Sequence, residues 1–171
     1  MPQLAKPSAK YKESFLEARR EFIDDKTYKY QHLPEVDAAG FEAYLNERTD
    51  HELGRNLPEG FVPASDFWLV EKDKYLGTTN IRHRLNQNLL DVGGHIGYHI
   101  RPSERRKGYG TLILKLALIE AKKLGLSRVL ITCDEENIGS AKIIEKNGGV
   151  LENIFVQSNN LPNKKRYWIE I

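Results

Sequence analysis

The stretch RRKGYGTLIL, residues 105–114, takes three bases into two glycines and then into an apolar run. The run reads as a helix from Gly108 to Leu124. It is apolar around much of its circumference, with Lys115, Lys122 and Lys123 on the remaining face. Such a helix packs against a sheet. Glycines at its mouth let the backbone turn tightly and let a ligand approach the amides. The first amides of a helix lack internal partners, and the helix dipole makes that end an anion site. Arg101, Arg105, Arg106 and Lys107 surround it against one acid, Glu104. A pyrophosphate suits these features, and so does a solvated basic loop before an ordinary helix. No G-x-x-x-x-G-K-[ST] and no G-x-G-x-x-G occurs, which excludes the two commonest nucleotide loops.

Working outward from this helix, the N-terminal side carries two helical stretches. KPSAKYKESFLEARREFI begins at Lys6, with Ser8 as its cap and Tyr11, Phe15, Ala18 and Phe22 at helical spacing. EVDAAGFEAYLNERT follows Pro34, and NLPEGFVPASD reads as a loop. FWLVEK, LGTTNIRHRLN and GGHIGYHIR are three successive strands, the last ended by Pro102. Beyond the central helix come a strand, RVLITCD, a helix, IGSAKIIEKNG, and two final strands, VLENIFVQ and KRYWIEI. The order predicts an α/β sandwich, antiparallel first and mixed later.

A chain of 171 residues suits one domain. Its 26 Lys and Arg nearly balance 24 Asp and Glu, and no basic stripe is interleaved with aromatics, which argues against nucleic-acid binding. The single Cys133 excludes an internal disulfide, and no paired cysteines suggest zinc, so no metal is expected. The N-terminus lacks the apolar core of a signal peptide and no run is long enough to span a membrane, so the expectation is a cytoplasmic protein without a membrane partner.

A second element, NIGSAKIIEKNGG at residues 137–149, starts 27 residues after Gly110. Asn137 and Ser140 suit a helix N-terminus and Gly148 a helix end. Together the two elements resemble the GNAT family of N-acetyltransferases. Arg105, Gly108 and Gly110 match its [QR]-x-x-G-x-[GA] motif, and Asn137, Ser140 and Gly148 match its second motif. The flanking HIGYHIRPSERRKGYG and LITCDEEN look like a bacterial group with poorly defined substrates. The resemblance implies a mixed, mostly antiparallel sheet flanked by helices, with two central strands splayed apart. It implies one domain over 1–171, with a helical, substrate-shaping part at 1–60 and an acetyl-CoA-binding core at 67–171. Dimers are common in the family, so a homodimer is a further expectation.

By the same resemblance, Tyr98, His99 and Ile100 line the edge that receives acetyl-pantetheine. The amides from Arg105 through Arg106, Lys107, Gly108, Tyr109 and Gly110 to Thr111 take the pyrophosphate. Asn137 bonds the pantetheine arm, with Ser140 near it. The implied reaction is direct transfer of acetyl from acetyl-CoA to an amine of a small molecule or protein. A main-chain amide polarises the carbonyl, a base accepts the amine proton and an acid protonates the thiolate.

Two family residues are missing. Ile144 stands where many members carry the acid tyrosine, and Gly94 where histone-type members carry the base glutamate. An acyl-CoA-binding module without catalysis is therefore the alternative. His95 is the candidate base, since imidazole titrates near neutrality. Tyr98 is the candidate acid. Asp134 and Glu135 follow the other splayed strand and are the candidates for binding a cationic amine. Glu35, Asp37, Glu59 and Asp66 are further acids of a kind that favours a cationic acceptor. Cys133 reads as a small buried residue rather than a nucleophile.

Overall fold

The computed structural model describes residues 1–25, 36–158 and 161–171. Two antiparallel sheets carry the structure. The first has strand order β1 (Gln3–Ala5), β2 (Ala64–Glu71), β3 (Lys74–Arg82), β4 (Ile96–Ile100). The second has order β5 (Arg128–Asp134), β7 (Lys164–Glu170), β6 (Val150–Phe155). Helices α1 (Lys12–Asp24) and α2 (Phe41–Glu52) precede β2 in the chain. Helix α3 (Tyr109–Lys123) joins β4 to β5, and α4 (Ile138–Lys146) joins β5 to β6.

The strand alternation of β2 and β3 feeds two cores. On one face Trp68, Val70 and Tyr75 meet Phe15 and Ala18 of α1 and Phe41 and Tyr44 of α2. Phe15 stacks on Trp68 at 4.7 Å and meets Tyr75 edge-on at 5.3 Å. Each such pair adds about 0.5–1.5 kcal/mol beyond the area it buries. On the other face Ile81, Ile96, Val129, Ile131 and Tyr167 pack against Leu114, Ala117 and Ala121 of α3 and Ala141 and Ile144 of α4. The small alanines let α3 approach the sheet closely. Gly110 plays the same part at the start of α3, because a Cβ there would lie 2.6 Å from the Ile143 side chain of α4.

Several elements differ from the sequence reading. The first helix begins later than Lys6, at Lys12, and Gln3–Ala5, to which the sequence reading assigned no element, pairs antiparallel with Trp68–Val70 as an edge strand. Ser8 sits before a short 3-10 turn and makes no side-chain cap. The expected loop over 56–66 ends early, since β2 begins at Ala64. β4 is shorter than GGHIGYHIR, because Leu89–Gly93 forms a π-turn ahead of it. Gly148, with φ of 89°, ends α4 as expected.

β4 and β5 run side by side in the order of the fold yet belong to separate sheets. They meet at one residue pair. His95 N–H donates to the Leu130 carbonyl at 2.7 Å, and Leu130 N–H donates to His95 Nδ1 at 2.9 Å. Gly94 makes the approach possible. It has φ of 65°, and a Cβ there would sit 2.6 Å from the Leu130 oxygen. The turn before it is held by Arg82 on the Gly93 and Gly94 carbonyls and by Thr132 on the Val92 carbonyl.

The His95 ring is buried against Trp168, and burial, with the Arg82 and Arg128 charges, lowers its pKa to about 4. The unfolded chain binds the proton at its ordinary value near 6.5. Stability is therefore lost as pH falls from about 6.5 to about 4 and is level below that, by up to about 3 kcal/mol for this residue. Chemical denaturation of wild type and His95→Gln at a series of pH values checks this. The stability difference between them should change with pH across that window; a constant difference contradicts it.

Candidate active site: a cleft between diverging strands

Beyond the His95–Leu130 contact the strands part. The opening is a cleft of about 560 Å³ lined by Ile96 to Ile100 of β4, Thr132 to Asp134 of β5, and Asn137, Gly139, Ser140 and Ile143 around the start of α4. Arg105, Arg106 and Gly110 form its mouth, and Lys164 of β7 completes the lining. Antiparallel pairing with β3 occupies one edge of β4, and pairing with β7 occupies one edge of β5. Each strand thus turns its other edge to the cleft, where an extended ligand can bond as a strand does.

Tyr98 and His99 both reach the cleft, and strand alternation sends them to opposite faces. Tyr98 packs toward α3, and its hydroxyl lies 2.9 Å from Ser140 Oγ. His99 is exposed, and its pKa is lowered by the surrounding protein and by the Arg105 charge. Asn137 caps α4, its Oδ1 accepting the Ser140 N–H at 2.9 Å, so its Nδ2 is left as the donor. Cys133 lines the same floor, and burial pushes its thiol up to about 11, which keeps it protonated. Ile144 is fully buried in the core beneath α4 and takes no part in the cleft.

His95 does not fit its expected role as base. It is not among the residues lining the cleft, and its Nδ1 lone pair already accepts an amide. A neutral imidazole bonded this way carries its proton on Nε2 and offers no free lone pair. Asp134 and Glu135 are likewise engaged: Asp134 pairs with Lys164, and Glu135 accepts from Asn163 Nδ2. Of the other acids, Asp37 accepts from the Gly40 amide and Glu59 lies in an exposed turn. Asp66 is nearly buried beside Asn80 and Arg48, and burial raises its pKa. Glu35 lies outside the described residues.

The mouth is less positive than the sequence suggests. Arg101 is buried and clamps α1 through Glu17 and Glu21. Arg105 pairs with Asp25 and lies over the Phe22 ring, while Lys107 and Lys74 share Glu104. Arg106 is exposed, with φ of 62°, and makes no ion pair among the described residues. The Arg105 amide donates to the Pro102 carbonyl, so the anion-binding amides begin after it. Gly108, with φ of 86°, turns the chain into α3 with open space beside it. These features fit a pyrophosphate held by helix-start amides and one free guanidinium.

The family model described as an acetyltransferase (GNAT) domain matches residues 13–150. Three solved structures illustrate the fold. RimL, a ribosomal L7/L12 α-N-protein acetyltransferase solved with coenzyme A, is 14% identical with a TM-score of 0.72, over 99% of this chain and 94% of that one. The microcin C7 self-immunity acetyltransferase MccE, solved with acetyl-CoA and AMP, is 17% identical at 0.70, over 99% and 92%. The spermidine/spermine N-acetyltransferase SpeG of Vibrio cholerae is 16% identical at 0.64, over 99% and 95%. No curated protein matches significantly by sequence. Among the described residues no helix is long and apolar enough to cross a membrane, and no cluster of three His, Cys, Asp or Glu side chains is placed to hold a metal.

The unequal pairing of the basic residues has a measurable consequence. Arg106→Ala should weaken acetyl-CoA binding about tenfold, the effect of one lost charged contact. Lys107→Ala should change it little, because Glu104 already holds that ammonium. Calorimetric titration of both variants checks the order, and equal losses contradict it.

Proposed function

The chain belongs to the GNAT acetyltransferase family, and we propose that it moves the acetyl group of acetyl-CoA directly to a primary amine bound at the β4–β5 cleft. The observation that carries this reading is the divergence of two strands from a single contact, with a helix N-terminus at the opening. The exposed edges of β4 and β5 suit the amides and carbonyls of pantetheine. The amides from Arg106 to Thr111, with the Arg106 side chain, suit the pyrophosphate. The donor of Asn137 suits a pantetheine carbonyl. A β4 amide beside Tyr98 suits the thioester oxygen, and its value grows as charge develops there in the transition state.

Tyr98 and Ser140 take the role of acid. Their hydroxyls already touch, line the cleft floor and form a path along which a proton can reach the departing thiolate. His99 takes the role of base in place of His95. It lies on the other face of β4, and its lowered pKa keeps it neutral at pH 7. The acceptor is a small molecule or a protein amine. SpeG is named for spermidine and spermine, and a Salmonella typhimurium relative for the N-terminal serine of L7/L12, so both amine types belong in a test panel. The protein is assigned to the cytoplasm on the same reading.

Titration with acetyl-CoA followed by free-thiol release on an amine panel tests the proposal. The expected result is binding with turnover on at least one amine. Ser140→Ala and Tyr98→Phe should each lower kcat by about a hundredfold, the scale of one general acid, with acetyl-CoA affinity little changed. In wild type, kcat/KM should fall on the acid side of pH 6.5 as His99 gains a proton, and His99→Gln should lack that limb. Binding without turnover on any amine would favour an acyl-CoA sensor instead. No binding at all would overturn the proposal.

A further inference from the structure

We infer that Arg82 binds a carboxylate of the acceptor, so that the substrate amine is one carrying an acid group several bonds from its nitrogen. This rests on acetyl transfer at the β4–β5 cleft and adds to it the chemical class of the acceptor. Arg82 ends β3 and is partly buried. A guanidinium withdrawn from water normally meets an acid. Arg48, Arg101, Arg105 and Arg166 each do. Arg82 forms no ion pair among the described residues. Asp66 lies within range of its charge, but that carboxylate already accepts from Asn80 and sits beside Arg48.

The bonds that Arg82 does make leave its recognition edge free. Nη1 donates to the Gly93 carbonyl at 3.1 Å and to the Gly94 carbonyl at 3.0 Å. Nε and Nη2 have no partner among the described residues, and neither is among the unpartnered polar atoms sealed from solvent. These two nitrogens form one edge of the planar guanidinium. Two parallel N–H bonds from such an edge match the two oxygens of a carboxylate. An ammonium is repelled there, and a lone carbonyl uses only one of the two donors.

The position of Arg82 suits the acceptor side of the cleft. Residues opposite each other on neighbouring strands share a face of the sheet. His99 lies opposite Thr78, and Thr78 opposite Trp68, which packs against α1 and α2. Alternation along β3 sets Asn80 and Arg82 on that same face. An amine that gives its proton to His99 arrives on this side. Gly97 stands between His99 and the His95 carbonyl, which accepts the Arg82 amide at 2.8 Å. A Cβ at Gly97 would meet nothing within 4 Å among the described residues, so space is open along the strand between His99 and Arg82. From the β4 amide beside Tyr98 to His95 is three residues, about 10 Å. An amine at the thioester with a carboxylate about five or six bonds away covers that distance once the reach of the arginine is allowed for. The carboxylate of a simple α-amino acid lies too close to its nitrogen.

Amines matched except for the acid test this, by calorimetric titration into the protein–CoA complex and by turnover with acetyl-CoA. The pairs are 6-aminohexanoate with pentylamine, lysine with 1,5-diaminopentane, and a peptide amide with aspartate second with its asparagine counterpart. In wild type the acid-bearing member of at least one pair should bind about ten- to a hundredfold more tightly and show a KM lower to the same degree, the scale of charge-assisted hydrogen bonds. Arg82→Gln should close that gap through a rise in KM for the acid-bearing member. Arg82→Lys keeps the charge without the two-pronged edge and should retain only a small part of it. Circular dichroism and acetyl-CoA titration report whether each variant keeps its fold. Equal affinity within every pair in wild type overturns the inference without recourse to any variant. So does a preference that folded Arg82→Gln retains. An Arg82-dependent choice of succinyl-CoA over acetyl-CoA would assign the guanidinium to the acyl donor and overturn it likewise. Absence of acetyl-CoA binding, read without any amine, is a distinct result that removes the transfer reading and this assignment with it.

Discussion

A single contact between two strands organises this molecule. Leu130 of β5 gives its carbonyl to the His95 amide and its amide to the His95 ring. One residue of β5 is thereby closed off on both backbone groups, and nothing continues the ladder. The lack of a side chain at Gly94 allows the close approach, and Trp168 covers the ring. Past this point each strand keeps its antiparallel neighbour and loses the other. Backbone groups that face a cleft without partners are costly unless water or a ligand satisfies them. The divergence therefore leaves two open strand edges facing one cleft, the surface proposed for binding, with α3 and α4 beside it.

Electrostatics at the mouth follow from the same economy of partners. Arg101 and Arg105 are spent on α1, tying the N-terminal helix to the end of β4. Their role is to position the wall of the cleft. On the proposed function, phosphate charge would fall to the amides at the start of α3 and to Arg106. That proposal divides residues that hold the cleft in shape from those that would meet the ligand, although all four bases lie within seven residues of one another.

Much of this was legible in the sequence. Helix α3, strand β5 and helix α4 announce themselves by period, by capping residues and by glycines at their ends, all of which are local signals. The pairing of Asn137 with Ser140 and the role of Gly148 follow from the same local chemistry. What was hidden depends on contacts far apart in sequence. β1 is three residues long and exists because β2 offers an open edge. The partners of Arg101 lie some eighty positions away in α1, so counting charges around residue 105 overstated the positive field. His95 read as a base because imidazole titrates near neutrality. Its burial and its bond to Leu130, 35 positions on, make it a structural residue. His99, four residues later, reads the same in sequence; His95 is taken up at the contact with Leu130, whereas His99 lies beyond it, where β4 borders the cleft.

The most direct test of the account is amide hydrogen exchange with and without acetyl-CoA, resolved to short segments. The account requires protection to appear together at residues 98–100, 106–111 and 131–140, the two strand edges and the two helix starts that border the cleft. The segment around α2 should be unchanged. Protection confined to another surface, or acetyl-CoA binding that leaves the β4 and β5 edges exchanging as before, would contradict the claim that their divergence is the binding site.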